Sequence, residues 1–222
     1  MLKILDCTLR DGGYYNNWKF DIDLVKNYLR AMEACSVDYV ELGFRFNSFD
    51  PARGPYGETS EDFLRTLDLP SSLRYALMIN GSEFLKPTKE EIVYDIKSKF
   101  ILSVDSKISL VRVAINFNNA EAMQPVIEVL KDLGYEVGLN LMQSSGKKEH
   151  EYIELAKEIA SWDLVDVLYF ADSFGNMDPE EVKYIAGCIR KGWSSSLGFH
   201  SHNNKGYALI NSLNAIKAGV EY

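Results

Sequence analysis

The strongest constraint on the fold is an alternation repeated seven times: a short apolar run, then a longer amphipathic stretch. The short runs are 3–9, 39–44 (YVELGF), 74–79 (RYALMI), 108–115 (ISLVRVAI), 136–142 (EVGLNLM), 165–171 and 197–202. Each is short enough for a strand and apolar enough for one buried on both faces. Between them lie stretches with helical spacing. From Asp21 to about Cys35, Ile22, Val25, Tyr28, Leu29 and Met32 fall on one face, with Asp21 as the expected N-cap. Thr59 to Asp62 starts a short helix with Phe63, Leu64 and Leu67 inward, and helices are expected over 90–100, 120–133, 149–162, 179–191 and 207–218. Gly134 and Gly219 stop two of these, and Asp178-Pro179 opens another with a cap followed by proline.

Strands alternating with helices imply a parallel sheet with helical crossovers. Seven repeats in 222 residues, with no linker and no shift in composition, point to a single-domain α/β chain over 1–222. The expected architecture is a TIM (β/α)8-type barrel, with an open doubly wound sheet as the alternative. Val220-Glu221-Tyr222 reads as the opening of an eighth strand. The expectation is therefore a barrel truncated before or within strand 8. Either the chain is a fragment of a longer protein, with a further domain after Tyr222, or something else covers the edge between strands 1 and 7, because an open edge exposes unpaired backbone groups.

Composition narrows the function. A hydrophobic content of 46% excludes a disordered chain, and a net charge of -8 offers no basic stripe for nucleic acid. No apolar run approaches the roughly 20 residues of a membrane helix, and the start lacks a signal core. Three widely spaced cysteines fit a reducing, cytoplasmic setting better than a disulfide scaffold. The expected partners are thus small molecules.

In barrels of this type, chemistry sits where strands end. The most informative strand end is Phe199-His200-Ser201-His202-Asn203-Asn204. Alternation along a strand puts His200 and His202 on the same side, where two imidazoles make a metal clamp. The alternative is that one histidine packs and the other is solvated. The remaining histidine, His150, falls at a helix start and is expected to be solvated. At the other end of the chain, Asp11 in Leu9-Arg10-Asp11-Gly12-Gly13 supplies a hard oxygen, and Gly12 and Gly13 allow a tight turn close to a ligand; an ordinary Asp-Gly turn is the alternative. Two histidines and a carboxylate suit Mn²⁺, Mg²⁺, Fe²⁺ or Zn²⁺. Glu41 lies among Val40, Leu42 and Phe44, where a carboxylate needs a partner; Arg10 is the expected one, held to face a developing oxyanion or simply paired for structure. Asp172 and Ser173 at the end of the sixth strand read as a loop beside a substrate carboxylate or behind a metal ligand, or as a turn with a cap. The long segment Arg45 to Glu58 offers Arg45, Arg53 and Tyr56 as substrate contacts, or serves as a lid without contacts.

LDCTLRDGG, YVELGF, FADSFGNMDP and FHSHNNKGYALINSLNAIKAG, in that order, resemble the DRE-TIM metallolyases, and the ADS segment is most similar to the 4-hydroxy-2-oxovalerate aldolase branch. The resemblance covers nearly the whole chain. It implies a divalent cation, Mn²⁺ or Mg²⁺ with Zn²⁺ as a further candidate, held by Asp11, His200 and His202. It implies that Arg10 stabilises a pyruvate-type enolate, that Glu41 positions Arg10, and that Ser173 lies near the substrate carboxylate. The implied reaction joins or cleaves a 2-oxo acid and an aldehyde. The alternatives are an acyl-CoA-dependent Claisen condensation, for which no CoA-binding feature is visible, and a catalytically weak barrel that serves as a metal-binding or partner-binding module of a larger protein; a homo-oligomer or a further domain after Tyr222 is the expected macromolecular partner. One departure stands out. The aldolase branch carries an acid/base histidine near LRDG, and the stretch here, Gly13-Tyr14-Tyr15-Asn16-Asn17, has none. Tyr14, Tyr15 or a water activated by the cation would have to move the proton, and an unperturbed phenol with a pKa near 10 is poorly matched to neutral pH.

Overall fold

The computed structural model describes residues 2–222, which fall into two compact units. The first comprises residues 3–112 and 129–136; the second comprises residues 113–128 and 137–222, with residue 2.

In the first unit, strand β1 (Leu5–Asp6) leads into helix α1 (Thr8–Asn16), followed by α2 (Ile22–Ala34), β2 (Tyr39–Phe44), α3 (Pro55–Glu58), α4 (Glu61–Thr66), β3 (Arg74–Asn80), α5 (Gly81–Phe84) and α6 (Lys89–Lys99). β1 pairs with β2 and β2 with β3, all parallel. Every residue of β2 is buried, as expected for a strand covered on both faces. Val25 and Leu29 of α2 and Ile92 and Ile96 of α6 are buried in the core. The caps are where the sequence put them: Asp21 Oδ1 accepts from the amides of Asp23 and Leu24. Ile22, expected to face inward, is exposed instead, because the buried stripe of this helix begins at Val25.

β4 (Ile108–Asn116) and α7 (Gln124–Asp132) run across the boundary between the units. The helix expected from Ala120 starts later. Residues Phe117–Met123 form a 3₁₀ segment, and α7 opens beside Pro125, which lacks the N–H an earlier α-helical turn would need. The second unit continues with β5 (Glu136–Met142), α8 (Glu149–Trp162), β6 (Val167–Asp172), α9 (Pro179–Arg190), β7 (Ser196–Ser201) and α10 (Ala208–Lys217). β5, β6 and β7 pair in parallel, with Ala171 opposite His200 and Asp172 opposite Ser201. The residues read as an opening eighth strand do bond along β7: Glu221 N donates to Leu197 O at 2.9 Å, and Phe199 N donates to Tyr222 O at 2.8 Å. Strand order in the sheet is the chain order. This is an α/β fold of the TIM-barrel type, carried through seven βα units.

The largest departure from expectation lies at the first strand. Residues 3–9 were expected to be extended, yet only Leu5–Asp6 are, and the chain turns straight into α1. Asp6 Oδ1 accepts from Thr8 N at 2.9 Å, closing the turn from a side chain instead of from a neighbouring strand. Arg10, Asp11, Gly12 and Gly13 are therefore helical, and the two glycines are not a tight turn. Gly13 has a steric purpose. Asn17 and Trp18 both take left-handed backbone angles, at φ 54° and 56°, folding the Trp18 indole back onto the helix, where its Nε1 donates to Arg10 O at 3.0 Å. A β-carbon at Gly13 would lie 2.0 Å from Trp18 Cδ1, whereas one at Gly12 would meet nothing nearer than 3.8 Å.

The two glycines should therefore respond oppositely to alanine. Gly13→Ala is expected to lower the urea unfolding midpoint, at a cost of about 1–3 kcal/mol for overpacking. Gly12→Ala should leave stability unchanged or raise it slightly through helix propensity. Equal midpoints for the two variants would contradict the steric reading.

Candidate active site

Two clusters of chemistry-bearing side chains emerge, one in each unit.

The first is built on α1 and β2. Glu41 is fully buried and Arg10 is 5% exposed. Arg10 Nε donates to Glu41 Oε2 at 2.8 Å, and its Nη1 is paired with Asp11 Oδ1. The pairing of Arg10 with Glu41 read from the sequence is present. A second arginine was not anticipated: Arg112, from the middle of β4, donates Nη1 to both Glu41 oxygens at 3.1 and 3.2 Å. The signal was there, a charged residue inside the apolar run ISLVRVAI, the same signal that singled out Glu41. Burial alone would lower the pKa of the Arg10 guanidinium, but Glu41, followed by Cys7 and Asp11, outweighs it and holds that pKa above its ordinary value. Arg10 thus stays charged, with Nε and Nη1 committed and Nη2 making no hydrogen bond within the described residues.

Cys7 completes this cluster. Burial pushes its thiol up to about 12, so at neutral pH the sulfur keeps its proton and donates it to Asp11 Oδ2 at 3.4 Å. Tyr14, on the same helix, stacks edge-on with Trp18 and Phe44 at centroid distances of 4.9 and 5.9 Å and is largely exposed. Partial burial of the ring raises its hydroxyl pKa, with Arg10 opposing and Asp11 and Glu41 reinforcing. The phenol therefore stays protonated at neutral pH and can donate a proton more readily than accept one.

The second cluster joins the ends of β6 and β7. His200 Nε2 and His202 Nε2 lie 3.2 Å apart, the convergence that alternation along the strand predicted. His202 Nδ1 lies 2.9 Å from Asp172 O and 3.2 Å from Ser173 O. Carbonyl oxygens only accept, so Nδ1 carries the hydrogen and Nε2 presents its lone pair. Backbone carbonyls behind one ring nitrogen and a converging partner in front of the other are what a metal-ligating imidazole requires.

The loop that supplies those carbonyls is itself pinned. The buried Asp172 carboxylate accepts from Asn176 N at 3.0 Å and Met177 N at 3.2 Å, and Ser173 Oγ accepts from Gln143 N at 2.8 Å. Gly175 has φ +60°, and a β-carbon there would fall 2.6 Å from Asn204 N. Lys205 N donates to Gly175 O at 3.0 Å, and the buried Asn211 donates Nδ2 to Met177 O at 2.8 Å. Asp172 thus acts on the loop that orients His202 and spends its oxygens there. Asn204 and Asn211 escaped sequence reasoning because they reach the loop after β6 from elsewhere in the chain, Asn204 from the loop after β7 and Asn211 from α10.

The long segment after β2 does not serve as expected. Arg45 is 1% exposed; its Nε donates to Thr59 O at 3.1 Å and its Nη1 to Lys99 O at 3.0 Å, and Glu61 lies 3.1 Å from Nη2. Tyr56 is also 1% exposed, and the Arg53 guanidinium stacks on Phe46 at 4.0 Å while bonding Ser48 O. These side chains hold the segment together, so Arg45 and Tyr56 are corrected from substrate contacts to structural groups. His150 is exposed in the first turn of α8, as expected.

Comparison with known proteins places this geometry in a family. The 4-hydroxy-2-oxovalerate aldolase of Carboxydothermus hydrogenoformans is 30% identical over 227 residues, covering 100% of this chain and 63% of the relative. The oxaloacetate decarboxylase of Mycobacterium tuberculosis is 26% identical, covering 99% of this chain and 62% of the relative. The chain thus spans less than two thirds of the length of these curated relatives. Among solved structures, the N-terminal domain of a candidate aldolase from Bacteroides vulgatus superposes with a TM-score of 0.84 at 34% identity, covering 99% of this chain and 71% of that one. The carboxyl transferase domain of Rhizobium etli pyruvate carboxylase, at 16% identity and a TM-score of 0.75 over 99% of this chain and 38% of that one, shares the fold. Residues 93–222, more than half of the chain, match the HMGL-like family, to which this chain belongs, as its likeness to the DRE-TIM metallolyases implied.

Proposed function

We propose that the chain is a divalent-metal-dependent carbon–carbon lyase that cleaves or forms 4-hydroxy-2-oxo acids through a pyruvate-type enolate. The observation that carries this reading is the setting of His202, whose Nδ1 is committed to two backbone carbonyls while its Nε2 converges on that of His200. The donor set of Asp11, His200 and His202, two imidazoles and a hard oxygen, fits Mn²⁺ or Mg²⁺, with Zn²⁺ as a further candidate. Cys7 is left out of that set because a thiolate suits softer cations than Mn²⁺ or Mg²⁺. When bound, the cation would act as a Lewis acid toward the 2-oxo acid.

The chain's own residues supply the rest. Arg10 stays charged, and its Nη2, which makes no hydrogen bond within the described residues, is the nitrogen assigned to an enolate oxygen. A guanidinium that is already aligned needs no reorganisation when negative charge develops, which is where such groups gain their effect. Ser173 is assigned to the substrate carboxylate and Asp172 to the loop beneath it. Tyr14, protonated and mostly exposed, lies three residues along the chain from Asp11 and suits the direction that gives a proton, to the enolate carbon in cleavage or to the aldehyde oxygen in addition. The partners are a 2-oxo acid and an aldehyde. Relatives named as 4-hydroxy-2-oxovalerate aldolases support this assignment. No helix among the described residues is long and apolar enough to cross a membrane, which fits the proposed cytoplasmic setting.

Pyruvate released from 4-hydroxy-2-oxo acids, followed with lactate dehydrogenase and NADH, tests the reading. Release should require Mn²⁺ or Mg²⁺ and stop with a chelator; release undiminished after complete chelation would overturn it. In Mn²⁺ titrations read by electron paramagnetic resonance, His202→Ala should abolish binding. Asp172→Ala, which frees the loop behind His202, should weaken it roughly 10–100-fold. Glu41→Gln should cost about 3–5 kcal/mol in urea unfolding, because two buried guanidiniums lose their carboxylate, and turnover should fall with it.

A further inference from the structure

We propose that Arg112 is a positioning residue for the reaction: it shares the charge of Glu41, so that Arg10 keeps a net positive field for the enolate. The inference deepens the reading of Arg10 as the enolate-stabilising group and rests on it. Arg112 is 1% exposed and stands in the middle of a strand whose neighbours Leu110, Val111, Val113 and Ala114 are all buried and apolar. A guanidinium is among the most expensive groups to bury at such a position, and an aliphatic residue would satisfy the strand. Its Nη1 reaches both Glu41 oxygens, at 3.2 and 3.1 Å, while Arg10 Nε takes only Oε2, at 2.8 Å.

The charge arithmetic explains the arrangement. Arg10 and Glu41 alone would be a neutral pair, and at short range the carboxylate would cancel most of the attraction Arg10 could offer a developing oxyanion. Two guanidiniums against one carboxylate leave an excess of positive charge. Asp11, the other anion beside Arg10, is assigned to the cation in the proposed site. Arg112 bridges both carboxylate oxygens, so that Glu41 is held by a second guanidinium while it holds Arg10. Arg112 touches neither substrate nor cation in this scheme; it acts through Glu41.

The test compares Arg112→Met and Arg112→Lys in the full chain by kcat, KM and inhibition. Oxalate, a planar dianion shaped like the enolate, is set against pyruvate, which resembles the ground state. Arg112→Met should lower kcat roughly 10- to 100-fold with KM within about threefold, and should weaken oxalate more than pyruvate, because the lost field matters where charge has developed. Arg112→Lys keeps the charge and should recover most of kcat and the wild-type ratio of oxalate to pyruvate affinity. If Arg112→Met does not fold, the lysine variant decides by that ratio alone. A folded Arg112→Met with wild-type kcat and ratio overturns the proposal, as does an Arg112→Lys that folds normally yet shows a reduced ratio. A wild-type chain that releases no pyruvate would instead sink the underlying assignment of the site, whereas an active wild type with equally active Arg112 variants sinks this inference alone.

Discussion

Glu41 is the pivot of the first unit's chemistry. It has no exposure to water, and both its oxygens are held by guanidiniums, Arg10 from the helix after β1 and Arg112 from β4. A buried carboxylate is tolerable only with such partners, and each arginine in turn is tolerable only because Glu41 is there. The interdependence fixes the position of α1, since Arg10 cannot leave without stranding a charge. Asp11 and Tyr14 ride on the same helix and are placed by the same constraint. The second unit is organised differently, by backbone hydrogen bonds between two loops, with the imidazoles of His200 and His202 as the side chains that those bonds orient.

How much of this was legible in the sequence depends on the range of the interaction concerned. The interior strands β2 and β5 and the helix α8 were readable to within a residue or so, because their apolar periodicity is local and their surroundings are uniformly buried. Asp21 and Asp178 announced their helices because a cap bonds amides two and three residues away. The His200–His202 convergence was readable for the same reason, since alternation along a strand is set by the backbone. The start of α1 was not. Leu5 to Leu9 is as apolar as a strand, and what ends it is a bond from the Thr8 amide to the Asp6 side chain. Likewise, Pro125 delays α7 although the residues before it carry a helical pattern.

In the site, the pairing of Arg10 with Glu41 could be inferred because a carboxylate in an apolar run demands a cation, but the demand does not say how many. Arg112 lies 71 residues from Glu41, and only the parallel stacking of strands brings them together. The same holds for Arg45: a charged residue in a long loop looks available from the sequence, yet its donors are taken up by Thr59, Lys99 and Glu61. Asn211 and Gly175 reveal their roles only once the fold is seen, because each is defined by a contact with residues remote in sequence, Asn211 of α10 with Met177 and Gly175 with Asn204.

The folded-back indole of Trp18 limits which substitutions this corner can accept. Positions 13 and 18 are now an epistatic pair: the side chain at one occupies the volume the other would need. Any side chain larger than hydrogen at position 13 would require residue 18 to shrink or redirect, and with it the bond that Trp18 makes to Arg10 O. Substitution at this corner of the molecule is therefore gated: position 18 has to change before position 13, or together with it.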